Sequence, residues 1–238
     1  MSSIDKLKIK IFADGAEIES IKKLNSNNFI KGFTTNPSLM KKAGVKDYKE
    51  FALKLLSEIK DKPISFEVFS DEIPEMEKQA YEISKWGKNV NVKIPVTNTK
   101  KESTAELIRK LSSKGIVCNI TALFTTDQVK EVYDAIDKST PSILSVFAGR
   151  IADTGKDPSN IIKYSVDLVK SKSKTEVLWA STRETLNIFQ AEKLNCQIIT
   201  VPHEILGKLS YLDKNLDDFS LETVKSFYKD SIAAGFKI

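Results

Sequence analysis

Histidine and cysteine are nearly absent from this chain of 238 residues. It has one histidine, His203, and two cysteines, Cys118 and Cys196, both in apolar runs typical of strands. A single histidine excludes a histidine-rich metal site, so a general acid or base is expected to be a carboxylate or a lysine. The two cysteines are predicted to be buried apolar side chains, without a disulfide or a metal. They indicate a reducing, cytoplasmic location.

Long hydrophobic runs are also missing. No apolar segment approaches the length of a membrane span, and the N-terminus has no signal-peptide core. No stretch rich in proline, glycine or serine divides the chain, and the composition, 41% hydrophobic and 29% charged, suits a packed core. We therefore expect one domain over residues 1–238, with C-terminal helical segments over roughly 203–238 and no membrane partner.

The chain is basic, with a net charge of +5 and a pI of about 8.9. A basic surface attracts nucleic acids and anionic metabolites, and it is also the plain result of many solvated lysines. The sequence contains no zinc finger, basic-aromatic platform or other nucleic-acid module. We expect an anionic small molecule as partner and no nucleic acid.

Short β-like runs alternate with longer amphipathic helices along the chain. Phe51, Leu55 and Ile59 follow a helical repeat, and Asp157-Pro158 predicts a helix that begins at the proline and runs through Leu168. Eight such strands predict an α/β fold, a single (β/α)8 TIM barrel with an extra C-terminal helix. A doubly wound sheet is the alternative, but Asp14-Gly15-Ala16 is not a dinucleotide fingerprint. The predicted strands span residues 8–14, 32–35, 63–69, 89–94, 115–121, 142–147, 176–181 and 197–201.

Lys93 is the most informative single residue. Period-two alternation over 89–94 places Asn91 and Lys93 on a polar face and Val92 and Ile94 on the apolar one. Burial disfavours the charged form of an amine, and a neutral amine attacks carbonyls to form a Schiff base. On this segment alone, a solvated lysine on an exposed strand edge is the simpler interpretation.

Polar residues end the other strands at the same level. In a TIM barrel such ends carry the active site. Each residue alone has an ordinary explanation: Asp14 as a helix cap, Arg150 and Arg183 as surface charges. Lys8 and Lys10 share the inward side of the first strand and are placed at the open bottom of the barrel. The convergent polar residues are Asp14, Asn36, Glu67, Lys93, Asn119, Thr121, Ser145, Arg150, Ser181 and Arg183.

From the first strand to the eighth, the chain resembles the short transaldolases, a family that includes fructose-6-phosphate aldolases. The first two motifs of the set, at their separation, are the specific ones. The motifs are Thr34-Thr35-Asn36-Pro37-Ser38, Val92-Lys93-Ile94-Pro95, Asn119-Ile120-Thr121, Ser145-Val146-Phe147-Ala148-Gly149-Arg150 and Ala180-Ser181-Thr182-Arg183.

The resemblance implies the roles of these residues. Lys93 forms the Schiff base, and Asp14 takes the proton from the hydroxyl next to the cleaved bond. Glu67 and Thr121 hold the water that carries protons during imine chemistry. The resemblance also implies that no cofactor or metal is needed and that the C-terminal helices pack across subunits of a homo-oligomer. The substrate-binding residues it implies are Asn36, Asn119 and Ser145 for hydroxyls, and Arg150, Arg183 and Ser181 for the phosphate.

Two positions separate transfer from free cleavage. In the transaldolase branch the water-activating residue is a glutamate and the aromatic after the strand-six serine is phenylalanine, as in Glu67 and Phe147 here. The aldolase branch typically has glutamine and tyrosine. The resemblance therefore implies a transaldolase of the pentose phosphate pathway, with Phe147 at the substrate. Val146, where proline is common, departs from the pattern and leaves the substrate preference open.

Three other functions stay open on the sequence. The first is a fructose-6-phosphate aldolase, and the second is a different Schiff-base barrel aldolase. The third is a non-catalytic protein that binds a sugar phosphate or a nucleic acid through its basic charge.

Overall fold

Eight parallel strands close into a barrel in the computed structural model, which describes residues 3–170 and 174–238. Each strand pairs with the next along the chain, and the last pairs with the first. The predicted TIM barrel is therefore confirmed. The strands are β1 Lys10–Asp14, β2 Ile30–Thr34, β3 Ile64–Glu67, β4 Val90–Pro95, β5 Cys118–Leu123, β6 Ser142–Val146, β7 Thr175–Trp179 and β8 Ile198–Pro202.

Helices surround this barrel, and two short 3-10 segments, Ser3–Lys6 and Lys208–Tyr211, accompany them. The helical repeats predict the buried face well, since Phe51, Leu55 and Val129 are all buried. The helices are α1 Ile18–Asn25, α2 Pro37–Lys42, α3 Tyr48–Glu58, α4 Ile73–Ser84, α5 Ala105–Ser112, α6 Thr126–Ala135, α7 Ala148–Asp153, α8 Ser159–Val169, α9 Leu186–Lys193, α10 His203–Gly207 and α11 Leu216–Ala234.

Several predicted boundaries are wrong: β1 begins at Lys10 and not at residue 8, and β3 ends at Glu67 and not at residue 69. The strand predicted at 115–121 begins only at Cys118 and runs on to Leu123, through an irregularity in its pairing with β6. The strand predicted at 176–181 ends at Trp179, so Ser181 lies in the loop beyond it. Helix α8 begins one residue after Pro158, and the Asp157 carboxylate accepts a hydrogen bond from the Ser159 N–H.

The inside of the barrel is divided into an apolar side and a polar side. Phe12, Ile143 and Leu178 belong to a small apolar cluster contributed by β1, β6, β7 and β8. Gly32 of β2 makes room for the Phe12 ring, because a Cβ at Gly32 would lie 2.6 Å from that ring. Buried polar residues of β3, β4 and β5, such as Asn91, occupy the other side. This packed cluster therefore lies across the barrel from the strands that carry Glu67 and Lys93.

Lys10 is at the bottom of the barrel, as its parity predicts. Its Nζ lies 2.5 Å from Glu176 Oε2 of β7, and both side chains are partly exposed. Lys8 precedes β1, and its backbone N–H donates to the Glu192 carboxylate. The pairing with Glu176 explains how a lysine is tolerated on the inward face of β1.

Helix α11 lies outside this packing. The Asn215 side chain caps its N-terminus by accepting from the N–H groups of Asp217 and Asp218. None of its residues, all of which the structure describes, is buried. No helix in the described part of the chain is long and apolar enough to cross a membrane.

Candidate active site

All eleven residues predicted from the sequence line one cavity at the C-terminal ends of the strands. The cavity has a volume of about 480 Å³. The structure therefore brings the whole predicted set together, and the role of each residue stays a prediction. The set comprises Asp14, Asn36, Glu67, Lys93, Asn119, Thr121, Ser145, Phe147, Arg150, Ser181 and Arg183.

The Lys93 amine lies inside the barrel. Val92 and Ile94, its neighbours on β4, are fully buried on the opposite face, so alternation directs Lys93 inward, where it is 8% exposed. Its Nζ lies 3.1 Å from Glu67 Oε2 on β3 and donates to the Thr35 carbonyl at 3.2 Å. A carboxylate at this distance can accept a proton from the amine.

Asp14 is held in place at the end of β1. The Thr34 hydroxyl donates to Asp14 Oδ1 at 2.7 Å, and Thr34 in turn shares a hydrogen bond with the Thr200 hydroxyl. Burial raises the pKa of Asp14 above its usual range, although the charge of Lys93 and the hydrogen bond from Thr34 oppose this. A carboxylate with a raised pKa is a stronger base than an ordinary aspartate.

Glu67 and Thr121 flank the amine from the neighbouring strands. The Tyr48 hydroxyl donates to the Glu67 carbonyl oxygen at 2.8 Å, and burial raises the pKa of Tyr48, which keeps this donor protonated. The buried Thr121 hydroxyl has no hydrogen-bond partner among the described residues. Ala122, the next residue, has a left-handed backbone with φ +61°. A buried hydroxyl in a cavity wall is suited to hold a water or a ligand oxygen.

Three polar side chains form the neighbouring wall. Asn36 caps α2 through its Oδ1, which accepts from the Leu39 N–H, and this leaves the N–H donors of its amide for a ligand. Asn119 Nδ2 donates to Ser65 Oγ at 3.0 Å, and the Ser145 hydroxyl donates to Asn119 Oδ1 at 2.6 Å. Asn119 therefore offers a remaining N–H, and Ser145 offers oxygen lone pairs.

The two arginines lie together at one end of the cavity. The Arg150 guanidinium is 5.2 Å from the centre of the Phe147 ring, a cation–π contact. Arg183 makes two bonds to Asp153 of α7, from Nε to Oδ1 at 3.2 Å and from Nη2 to Oδ2 at 2.5 Å. Guanidinium groups bind phosphate oxygens in a bidentate manner, so this end suits a phosphate.

Ser181 has an unusual backbone beside these arginines, with φ +66°. The turn that begins α7 lies against it, and the Gly149 N–H donates to the Ala180 carbonyl. A Cβ at Gly149 would lie 1.6 Å from the Ser181 carbonyl oxygen. Only glycine permits this close approach of the two loops, which places Arg150 next to Ser181.

Sequence reasoning missed the residues that hold the site residues in place. Thr34 and Ser65 lie on the inward faces of their strands, so parity could have found them. Tyr48, Asp153 and Thr200 act through contacts between separate elements, and no local pattern signals them. No group of three or more His, Cys, Asp or Glu in the described ranges could hold a metal ion.

The fold and the site define a TIM-barrel protein whose strand ends surround a buried lysine and two carboxylates. The family described as Transaldolase/Fructose-6-phosphate aldolase matches residues 11–238. The chain belongs to this family.

Relatives with curated names agree with this assignment. A protein named "Probable transaldolase" from Dehalococcoides mccartyi is 36% identical over 84% of this chain and 90% of its own length. A protein of the same name from a Thermoanaerobacter species is 34% identical over 97% of this chain and 100% of its own. These names indicate a transaldolase-like enzyme.

The similarity of this chain to solved structures is limited to the barrel fold. A 2,3-dimethylmalate lyase of the PEP mutase/isocitrate lyase superfamily aligns over 98% of this chain and 86% of its own, with a TM-score of 0.57 and 11% identity. At that identity the likeness shows the fold and says nothing about the reaction.

Proposed function

We propose that this chain is a transaldolase that transfers a dihydroxyacetone unit through a Schiff base on Lys93. The donors are sedoheptulose 7-phosphate and fructose 6-phosphate, and the acceptors are glyceraldehyde 3-phosphate and erythrose 4-phosphate. One observation carries the proposal: the Lys93 amine is buried in the barrel, 3.1 Å from Glu67 Oε2, at a cavity that Asp14 also lines.

The first step forms the imine. The Lys93 nitrogen, after giving a proton to Glu67, attacks the C2 carbonyl of the ketose. The carbinolamine then loses water as its hydroxyl is protonated. The distance of 3.1 Å between Nζ and the Glu67 carboxylate allows direct transfer, and the Thr121 hydroxyl provides a second contact for the departing water.

The second step cleaves the bond between C3 and C4. Asp14 takes the proton of the C4 hydroxyl, the C4 oxygen becomes a carbonyl, and the bonding electrons move to the imine nitrogen. An aldose phosphate leaves, and a three-carbon enamine stays on Lys93. An acceptor aldehyde then reverses the step: the enamine carbon attacks it, and Asp14 returns the proton to the new hydroxyl. Water adds to the resulting imine, and its collapse releases the new ketose and the free Lys93 amine. The protonated imine is the electron sink, so the reaction needs no cofactor.

Phe147 supports transfer over free cleavage. Its ring packs at 5.7 Å from the Phe124 ring and carries the Arg150 guanidinium on one face, so it is an apolar wall of the cavity. A phenyl ring has no proton to give to the bound enamine. The three-carbon unit therefore waits for an acceptor aldehyde, whereas a fructose-6-phosphate aldolase releases it as dihydroxyacetone.

A two-part assay tests the proposal. Fructose 6-phosphate and erythrose 4-phosphate should give sedoheptulose 7-phosphate and glyceraldehyde 3-phosphate, and Lys93→Met should abolish turnover. Fructose 6-phosphate alone should release little dihydroxyacetone. Rapid release without an acceptor would instead identify an aldolase. Full turnover by Lys93→Met would contradict the Schiff base.

Arg183 provides a separate test of the phosphate end. Arg183→Ala should raise KM for phosphorylated sugars far more than for dihydroxyacetone, which has no phosphate. An equal effect on both substrates would remove its proposed role.

We also propose that the protein is a homo-oligomer in which α11 packs against a second copy. The helix exposes Phe227, Tyr228 and Ile232, each at least 65% exposed, and apolar side chains of this size gain about 1.5–3 kcal/mol each on burial. Analytical ultracentrifugation of a Phe227→Glu, Ile232→Glu variant should show a shift to smaller species. An unchanged sedimentation coefficient would contradict this use of α11.

A further inference from the structure

The Arg183 guanidinium is bound to a carboxylate that the proposed chemistry does not use. Asp153 ends α7, and its two oxygens accept from Nε and Nη2 of Arg183 at 3.2 and 2.5 Å. The two side chains are 47% and 51% exposed. Exposed ion pairs contribute little to stability, about 0–1 kcal/mol. Stability alone therefore does not account for this two-point contact, whose arginine lines the cavity.

The pairing leaves the other end of the guanidinium available. Arginine has five N–H donors, and Asp153 takes one from Nε and one from Nη2. Three donors remain, on Nη1 and Nη2, and Arg183 lines the cavity. Asp153 thus fixes the plane of the guanidinium while sparing the donors that a phosphate can use.

Both arginines at this end contact residues at the two ends of α7. Arg150, three residues before Asp153, has its guanidinium 5.2 Å from the centre of the ring of Phe147, the N-cap residue of α7. The two arginines lower the pKa of the Asp153 carboxyl. The hydrogen bond from Arg183 is the main cause, and the charges of Arg183 and Arg150 add to it. The aspartate is therefore charged at neutral pH and stays paired with Arg183 there.

We propose that Asp153 is a positioning residue that pre-orients Arg183 for the phosphate of the substrate. This inference rests on the proposed function. Immobilising a flexible side chain costs free energy on binding, and a side chain that is already held avoids that cost. Loss of the contact should therefore weaken phosphate binding by about 3- to 10-fold.

Two variants of Asp153 test this, with Asp167→Asn as a matched control. Asp167 is a similarly exposed aspartate on α8, paired with Lys170 at 2.5 Å, and it does not line the cavity. Asp153→Ala should raise KM for fructose 6-phosphate by about 3- to 10-fold and leave KM for unphosphorylated fructose unchanged. Asp153→Asn keeps an acceptor for Nε, so its KM for fructose 6-phosphate should rise less than that of Asp153→Ala. Asp167→Asn should change neither KM.

Other results would overturn the proposal. A fall in KM for fructose 6-phosphate in Asp153→Ala would identify Asp153 as a repulsive charge. Equal rises for both sugars would identify a structural effect. Assays at about 0.15 M ionic strength keep long-range repulsion small, since the Debye length is then about 8 Å.

Calorimetry with inorganic phosphate separates this inference from the proposed reaction. The wild-type protein and Asp167→Asn should bind phosphate equally, and Asp153→Ala should bind it about 3- to 10-fold more weakly. This result stands even if transaldolase activity is absent. Equal phosphate binding by wild type and Asp153→Ala, or none by wild type, would contradict the role of Asp153.

Discussion

Lys93 and Glu67 are direct partners in the pairing of β4 with β3, and their charged ends lie 3.1 Å apart inside the barrel. Their side chains are only 9% and 17% exposed. Burying two charges costs several kcal/mol per ion, and their attraction repays that cost only in part. The pair therefore serves the site at the expense of stability.

This relationship predicts how stability responds when the pair is removed. Glu67→Gln leaves a buried ammonium without its carboxylate, so it should lower the free energy of unfolding by at least about 1 kcal/mol. The double variant Lys93→Met, Glu67→Gln removes both charges and should be as stable as wild type or more so. Urea unfolding measures both variants, and a double variant less stable than Glu67→Gln alone would contradict the interpretation.

The raised pKa of Asp14 should make the stability of the protein depend on pH. Its pKa is raised by folding, so the folded protein binds this proton more tightly than the unfolded chain. The associated stability is present at low pH and is lost as pH rises from the ordinary pKa, about 3.9, through the raised one. As pH rises, the wild type therefore acquires a buried charge that Asp14→Asn never has.

Asp14→Asn should therefore raise the free energy of unfolding at pH 8 by about 1 kcal/mol and lower kcat by at least about 100-fold. The gain should shrink as pH falls through the raised pKa of Asp14 and be largely lost near the ordinary value of about 3.9. Thermal unfolding at several pH values checks it. A stabilisation that is the same at pH 3.5 and pH 8 would show that the carboxylate charge is not its cause.

Replacing Thr121 should lower the rate of the reaction without lowering the stability of the protein. Its buried hydroxyl has no partner among the described residues, so Thr121→Val removes no hydrogen bond within them. The variant should be as stable as wild type, while kcat falls about 10- to 100-fold because the imine water loses a contact.

The control for Thr121 is Thr104, a buried threonine whose hydroxyl donates to the Pro95 carbonyl at 2.6 Å. Thr104→Val should lower stability by about 1–2 kcal/mol and keep kcat close to wild type. Stopped-flow kinetics and urea unfolding distinguish the two variants. Unchanged kcat in Thr121→Val would remove Thr121 from the catalytic set.

Gly149→Ala should have a steric effect at the end of the cavity that the two arginines line. A methyl group would lie 1.6 Å from the Ser181 carbonyl oxygen, so Gly149→Ala must push the two loops apart. We expect a loss of stability of about 1–3 kcal/mol or more and a higher KM for phosphorylated sugars. Gly207→Ala is the control, because nothing lies within 4 Å of its added methyl group. If both variants match wild type, the close approach of the loops is not required.

The alternation of polar and apolar residues made the barrel and its lining predictable. In β4 the apolar faces of Val92 and Ile94 determine that Lys93 points inward, and the same parity places Asn119 and Thr121 around it. Such positions depend only on the two-residue repeat of a strand and on the level at which parallel strands end.

The remaining features depend on contacts between distant parts of the chain. Asp153 is an ordinary helical aspartate until Arg183 is brought against it. Ser181 and Ala122 have left-handed backbones although neither is glycine. Their residue types therefore do not predict this conformation. Lys10 is tolerated inside β1 because Glu176 of β7 reaches it, which only closure of the barrel provides.

Reductive trapping tests the central claim most directly. Borohydride added to the protein with fructose 6-phosphate should reduce the imine, and peptide mass spectrometry should find one reduced dihydroxyacetone unit on Lys93. Lys93→Met should take up no label under the same conditions. An unlabelled wild-type protein, or a label on a different lysine, would contradict the account.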